Sequence, residues 1–391
     1  MKKSMVVFIF LAFNFINPVF SADAREDTVK LLLPPAVYAS PGYEMNIYFD
    51  NIILVPDIRQ YNFNISVPDK EHGVQYAECW RFVPSDKSVG SFPWKIKVLN
   101  GQNKVAAEGE TTVHVSPKDA GAGRQVSVLM IGDSLTAASA YPNELKRLFS
   151  MPGNPEVKFI GTLNRKGAAH EGRGGWTWAG YCNLWTEGGD FKNQSPFLYP
   201  DGEKRMLNFK KYIEDNNEGK APDFVTVFLG CNDIFFAGEY TQKTQSPESI
   251  ARNVIFKYSD KFIDEIRRTC PETQIGLILP VPPCATQDGF VNYKCSQTRW
   301  QYRINQHTLT EEMIKKYGNR EKENIFLVPA YLNIDCVNGF PSEGKEPNAH
   351  AKTKILRHSN GVHPAQSGYL QIADSIYAWL KYRLSCENKN K

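Results

Sequence analysis

From about Leu31 to Val115 the chain alternates hydrophobic and polar positions. In YNFNISV, Tyr61, Phe63, Ile65 and Val67 face one way while Asn62, Asn64 and Ser66 face the other. WKIKVLN repeats this with Trp94, Ile96 and Val98, and TTVHVS closes the region with Val113 and Val115. A period of two, broken by the turn-forming stretches PDK, PSDKSVGS and NGQN, predicts short antiparallel strands. The expected unit is a small all-β, immunoglobulin-like sandwich over residues 25–117. It carries no catalytic constellation, so a structural or orienting accessory role is expected of it.

The texture changes after SPKDAGAGRQ (residues 116–125), whose small and polar residues predict a linker. VSVLMIG, VKFIG, FVTVFLG, IGLILP and IFLVP are compact apolar runs rich in β-branched residues. Such runs suit strands buried on both faces, as parallel strands are beneath covering helices. Amphipathic stretches separate them. PNELKRLFS has Pro142 in a first helical turn and Leu145, Leu148 and Phe149 on one face. GYLQIADSIYAWLKYRL aligns Tyr369, Ile372, Ala373, Ile376 and Leu380. Alternating strands and helices predict a three-layer α/β/α fold around a central parallel five-stranded sheet, over residues 124–387.

Composition refines this picture. A chain of 391 residues suits two domains, and 42% hydrophobic with 12% aromatic residues supplies a sizeable core, which excludes a disordered protein. The formal charge is +4, of which Lys2 and Lys3 contribute two, leaving no electrostatic case for nucleic acid. Those lysines open MKKSMVVFIFLAFNFINPVFSADA, where a short apolar run broken by Asn14 is followed by small residues at Ser21, Ala22 and Ala24. The run falls short of the roughly 18 apolar residues of a membrane span. A signal peptide over residues 1–21 is therefore expected, on a bacterial protein that is secreted or periplasmic, with no stable membrane insertion once the leader is removed. The eight cysteines show no C-x-x-C pair, which disfavours zinc ribbons and thioredoxin-type chemistry. Export permits disulfides, and Cys284 and Cys295, flanking one loop-like segment, are the pair suggested. Cys231 is expected to be a buried thiol. No histidine–carboxylate cluster has ligand spacing, so no metal and no organic cofactor are expected.

In open parallel sheets reactive residues gather beyond the carboxyl ends of the strands. The first apolar run leads into IGDSLT, placing Ser134 in the turn before a helix. The third leads into LGCNDIF, with Gly230, Asn232 and Asp233, and the segment after the fifth ends in HSNGVHP, with His363. HEGRGGWTW, between the first and third, is glycine-rich enough for backbone to approach a ligand closely. Each stretch alone is an ordinary turn.

Jointly and in this order, GDSLT, GGWT, GCND and VHP with GY behind it are similar to the four blocks of the SGNH (GDSL-type) hydrolase family, over about Gln125 to Leu384. The resemblance implies a serine esterase with Ser134 as nucleophile and His363 as general base. It also implies an oxyanion hole built from the backbone N–H groups of Ser134 and Gly175 and the side-chain amide of Asn232. Gly175 is chosen over Gly174 because the family's glycine directly precedes the position held here by Trp176. This division of labour is coherent: an imidazole makes a serine hydroxyl nucleophilic, and preorganised donors stabilise the tetrahedral oxyanion.

One position departs from the pattern. Family members commonly carry D-x-x-H in the last block, and this chain has Asn360-Gly361-Val362-His363. In serine proteases the corresponding Asp-to-Asn change costs about 10⁴ in turnover, chiefly through the wrong imidazole tautomer. Three arrangements are open: the Asn360 amide oxygen accepts from Nδ1–H, a backbone carbonyl does so, or the site is crippled. Asp335, in the loop after the fifth strand, is an alternative carboxylate. An active Ser–His pair is expected because every other part is present. A neutral partner predicts a His363 that titrates lower than in an acid-bearing relative.

Trp176, Trp178, Tyr181 and Trp185 crowd the stretch behind Gly175. Aromatic rings stack on sugars and also fill cores, and packing is expected of at least two of them. Trp176, Trp178 and Asp233 are candidate substrate contacts, while the basic HAKTKILRH is expected to be a solvated loop. Together these features predict removal of short acyl groups, O-acetyl above all, from an acylated polysaccharide or oligosaccharide. The alternatives are a lipolytic esterase or lysophospholipase, and a catalytically retired glycan-binding protein. Oligomeric state is left open.

Overall fold

The computed structural model describes residues 29–164, 167–238, 245–293 and 297–387. The expected signal peptide and Cys295 lie outside them. The alternating N-terminal region forms two sheets. Ala36–Ala39, Val105–Val115, Gly90–Leu99 and Asn62–Ser66 make one, in that order, and Met45–Tyr48, Cys79–Phe82 and Val74–Gln75 make the other. Period-two burial drives the arrangement: Phe92, Trp94, Ile96 and Val98 point inward and meet Trp80 and Phe82 of the facing sheet, with Trp80 and Trp94 edge-to-face at 6.0 Å. The pairings are antiparallel with one correction. Ala36–Ala39 runs parallel to Val105–Val115, the chain ends of the unit lying side by side.

The five apolar runs become the central sheet. Gln125–Gly132, Phe224–Phe228, Gln274–Ile278 and Ile325–Val328 pair in parallel, and Glu156–Ile160 flanks the first of them. A further two-residue strand, Glu171–Gly172, pairs with Ile131 and Gly132 on that same edge. Phe224–Phe228 and Gln274–Ile278 are buried at every position, as strands covered on both faces must be. Helices Ala140–Phe149 and Gln366–Glu387 cover the face formed by Val126, Val128 and Met130. Helices Phe256–Thr269 and Arg299–Tyr317 cover the face formed by Leu129 and Ile131. Among the described residues no helix is long and apolar enough to cross a membrane.

The expected linker is a packed segment, which corrects the sequence reading. Ala120 is buried, and the fully buried Lys381 of the last helix donates to its carbonyl at 2.6 Å. Ser116 is buried too, donating its N–H to Ala39 at 3.1 Å. Nor do the two regions have separate cores. Leu32, Phe49, Ile52 and Ile53 join Tyr331 and Leu332 in one apolar cluster.

Candidate active site

The strand order, second-first-third-fourth-fifth, reverses direction between the first and third strands, which opens a crevice at their carboxyl ends. Register decides what meets there. Gly132 sits opposite Phe228 on one side and Gly172 on the other, so the Ser134 turn is flanked by the segments leading to Gly175 and to Asn232.

Ser134 is the first residue of a short helix, Ser134–Ala137, capped by Asp133, whose carboxylate accepts from the Leu135 N–H at 2.9 Å. The other carboxylate oxygen accepts from the Cys231 thiol at 3.1 Å, linking the serine turn to the residue before Asn232. Burial pushes Asp133 up to about 6 and holds the Cys231 thiol well above its usual range. Cys231 is thus a buried thiol. Cys284 is also buried, with its thiol toward Thr286 O at 3.1 Å, and among the described residues no two cysteines form a disulfide.

His363 Nε2 lies 2.8 Å from Ser134 Oγ, although 229 residues separate them in sequence. Burial holds the His363 imidazole below its ordinary value. Asn360 holds the loop: its amide oxygen accepts the backbone N–H of Val362 at 3.0 Å and of His363 at 2.8 Å. Asp335 is likewise turned to its own loop, accepting from the Val337 and Asn338 N–H groups at 2.8 and 2.9 Å.

Asn232 sits in Cys231–Ile234, a short helix entered through Gly230 at φ +120°. Its Nδ2 donates to the Trp176 carbonyl at 2.9 Å, and an amide NH₂ has a second hydrogen left to give. Gly175 is exposed at φ +78°, a left-handed backbone that favours glycine, with open space where a Cβ would stand. The neighbouring Asp233 is half-buried, its carboxyl pushed up to about 7 by desolvation, and accepts from the Trp178 N–H at 3.3 Å.

Trp176 and Trp178 are 5% and 1% exposed, so neither offers a face to a ligand. Trp176 packs on Tyr181 and donates to the Lys192 carbonyl at 3.0 Å, while Trp178 packs on Phe262. Their apolar rings fill the space behind the loop. Phe236, four residues after Asn232, is an exposed aromatic at 63%.

Sequence reasoning missed the bracing beneath this loop. Glu171 is fully buried, with one oxygen accepting from Thr162 N and Tyr212 OH, both at 2.7 Å, and the other paired with Arg173 at 2.5 Å. Arg173 N–H and Tyr181 OH both donate to the Gly132 carbonyl, at 2.9 and 2.7 Å, joining the loop to the serine strand. The one available signal was an acid and a base two residues apart inside a glycine-rich run. Among the described residues no group of three or more His, Cys, Asp or Glu side chains could hold a metal ion.

None of the curated proteins compared with the sequence matches it. Among solved structures, the chain is similar to the Clostridium thermocellum family 3 carbohydrate esterase, at 16% identity and a TM-score of 0.40, over 67% of this chain and all (100%) of that one. It is also similar to a carbohydrate esterase family 3 protein from Talaromyces cellulolyticus, at 16% identity and a TM-score of 0.39, over 66% and 98% of the two chains. A third likeness is to phospholipase A1 from Streptomyces albidoflavus NA297, at 8% identity and a TM-score of 0.34, over 63% and 97%. The family of GDSL-like lipases and acylhydrolases matches residues 128–376, well over half of the sequence. With its serine turn, glycine loop, asparagine turn and histidine loop gathered at one end of a parallel sheet, the chain belongs to the GDSL-like lipase/acylhydrolase family.

Proposed function

We propose that the protein is an exported serine esterase that removes acetyl groups from carbohydrate. The observation that carries the chemistry is the 2.8 Å approach of His363 Nε2 to Ser134 Oγ. In this reading Ser134 attacks the ester carbonyl while Nε2 takes its proton, then returns it to the departing sugar hydroxyl. The acyl-enzyme is cleared by water activated through the same nitrogen. The backbone N–H groups of Ser134 and Gly175 and the free hydrogen of the Asn232 amide stabilise the oxyanion, each contributing about 3 kcal/mol in comparable enzymes. Asn360 shapes the loop that carries the histidine.

The open setting of the site supports an ester on a bulky alcohol. Ser134 and His363 are half-buried beside the exposed Gly174 and Gly175, so the alcohol side faces an open surface. The test is release of acetate from a panel of acetylated polysaccharides, run beside acetyl and octanoyl esters of a common chromogenic alcohol. Acetate release that Ser134→Ala abolishes supports the reading. Preference for the octanoyl ester would favour a lipolytic enzyme, and glycan binding without hydrolysis would favour a retired site.

A further inference from the structure

The N-terminal β unit reaches the loop that carries His363 through a continuous set of buried hydrogen bonds. Its contribution comes from Met45–Tyr48 and the one-turn helix Phe49–Ile52. Asn51, 5% exposed, donates through Nδ2 to the carbonyls of Tyr331 at 2.8 Å and Ile334 at 2.9 Å, and its Oδ1 accepts from the Cys336 thiol at 3.3 Å. One side chain thus satisfies three groups of a segment some 280 residues away. The turn formed by Ala330–Asn333 and the residues after it leaves those carbonyls without strand or helix partners, so a buried amide supplies what the local backbone does not. Asn46 adds its backbone N–H to Asn333 Oδ1 at 2.8 Å. Asp50 pairs with the buried Arg303 at 2.9 Å.

From that segment the bonds continue to the histidine. Cys336 O accepts from Ala285 N–H at 2.8 Å, and the adjacent Cys284 N–H donates to Gly361 O at 3.1 Å, two residues before His363. Val337 O lies 2.9 Å from His358 Nε2, and the other ring nitrogen lies 2.8 Å from Thr286 Oγ1. A carbonyl only accepts, so Nε2 holds the proton and Nδ1 receives the threonine hydroxyl. Beyond His363, Ala365 N–H donates to Gly339 O at 2.9 Å, and Ser359 N–H donates to Pro341 O at 2.8 Å. The histidine loop is therefore tied before and after His363 to residues 336–341, and those residues follow directly on the segment that Asn51 holds. The contacts leave little slack: a Cβ on Gly361 would lie 2.5 Å from the Phe290 ring.

We propose that Asn51, in the N-terminal unit, is a positioning residue for His363, and that the unit is a working part of the hydrolase site. This rests on the esterase reading above, and its test is arranged so that the two fail separately. Amide exchange is measured residue by residue in the full chain for wild type, Asn51→Ala and the milder Asn51→Ser. Asn100→Ala is the control, since it removes caps to the Gln102 and Lys104 N–H groups in a distant turn of the same unit. The expected result is exchange at least about tenfold faster at Ala285, Ser359 and Ala365 in Asn51→Ala, a smaller effect in Asn51→Ser, and no change at Phe224–Phe228 or in the control. Turnover of a chromogenic acetyl ester, per serine titrated with a phosphonate, is expected to fall about tenfold with KM within about twofold, as loss of transition-state geometry requires. Unchanged exchange at those three amides overturns the proposal, and so does faster exchange with unaltered turnover. A wild type that hydrolyses no ester sinks the esterase reading, while the exchange measurement still decides whether Asn51 holds the loop.

Discussion

Side chains at the crevice act in pairs, and the pairs say what each substitution does. Ser134→Ala removes the nucleophile at a half-buried helix start and leaves the Asp133 cap intact, so turnover is expected to drop by about 10⁴ or more with the melting temperature unchanged. The general base must be neutral to accept a proton, and burial keeps His363 neutral to lower pH than an exposed imidazole. Activity is therefore expected to be complete at neutral pH and to fall on an acid limb whose midpoint lies below about 6.5. A midpoint at or above that value in a kcat/KM profile would contradict the assignment. Asn360→Asp keeps an oxygen facing the N–H groups of Val362 and His363 and is expected to hold turnover within about threefold, whereas Asn360→Ala, which releases the loop, is expected to lose about tenfold or more. Ser134 and His363 could be singled out in the sequence only because four short blocks in order resemble a known family, each block alone reading as an ordinary turn. Glu171 and Arg173 were not, because a buried ion pair leaves no period in the chain and becomes visible only when both faces around it are known to be covered. Trp176 and Trp178 misled for a related reason: an aromatic next to a site residue reads the same whether its ring points outward or inward.

Among elements, the two-residue strand Glu171–Gly172 bears most on the site. It sets the glycine loop beside the serine turn, and it packs so closely that a Cβ on Gly172 would lie 2.4 Å from the Ala137 N. Gly172→Ala is expected to push the loop away from Ser134 and cut turnover about a hundredfold, while Gly174→Ala, where a Cβ meets open space, is expected to stay near wild type. Comparing the two variants on one chromogenic ester checks this. The strand escaped sequence reading because two residues show no alternation, and its glycines suggested a loop. The five long strands were legible for the opposite reason: continuous apolar runs of β-branched residues have few other uses.

Across the whole molecule, the sequence texture correctly separated an alternating region from an α/β region, yet it overstated their independence. The boundary was read from small polar residues, and burial of Ser116 and Ala120 depends on partners far away in the chain. A variant lacking residues 1–117 would uncover Tyr331 and Leu332, which cluster with Leu32, Phe49, Ile52 and Ile53, and is expected to be recovered insoluble. Asp374 lies along the same seam, beside Tyr43 and Glu44. Burial, then the charges of Glu144 and Glu44, push its carboxyl up to about 7, with Arg147 opposing. A carboxyl raised above its unfolded value of about 3.9 binds extra protons in the folded state, so it lowers stability as pH rises through that interval and beyond it. Asp374→Asn is accordingly expected to melt higher than wild type at pH above about 7 and alike near pH 4, by calorimetry at both.

The bond between Asn46 and Asn333 spans 287 positions and joins the first-made part of the polypeptide to one of the last. Synthesis proceeds from the amino end, so the seat for Phe49 and Ile52 does not exist until most of the translated message has been read. A nascent chain arrested before Tyr331 would therefore lack the partners that cover Ile52, so docking of the leading unit waits on synthesis of the segment around Tyr331.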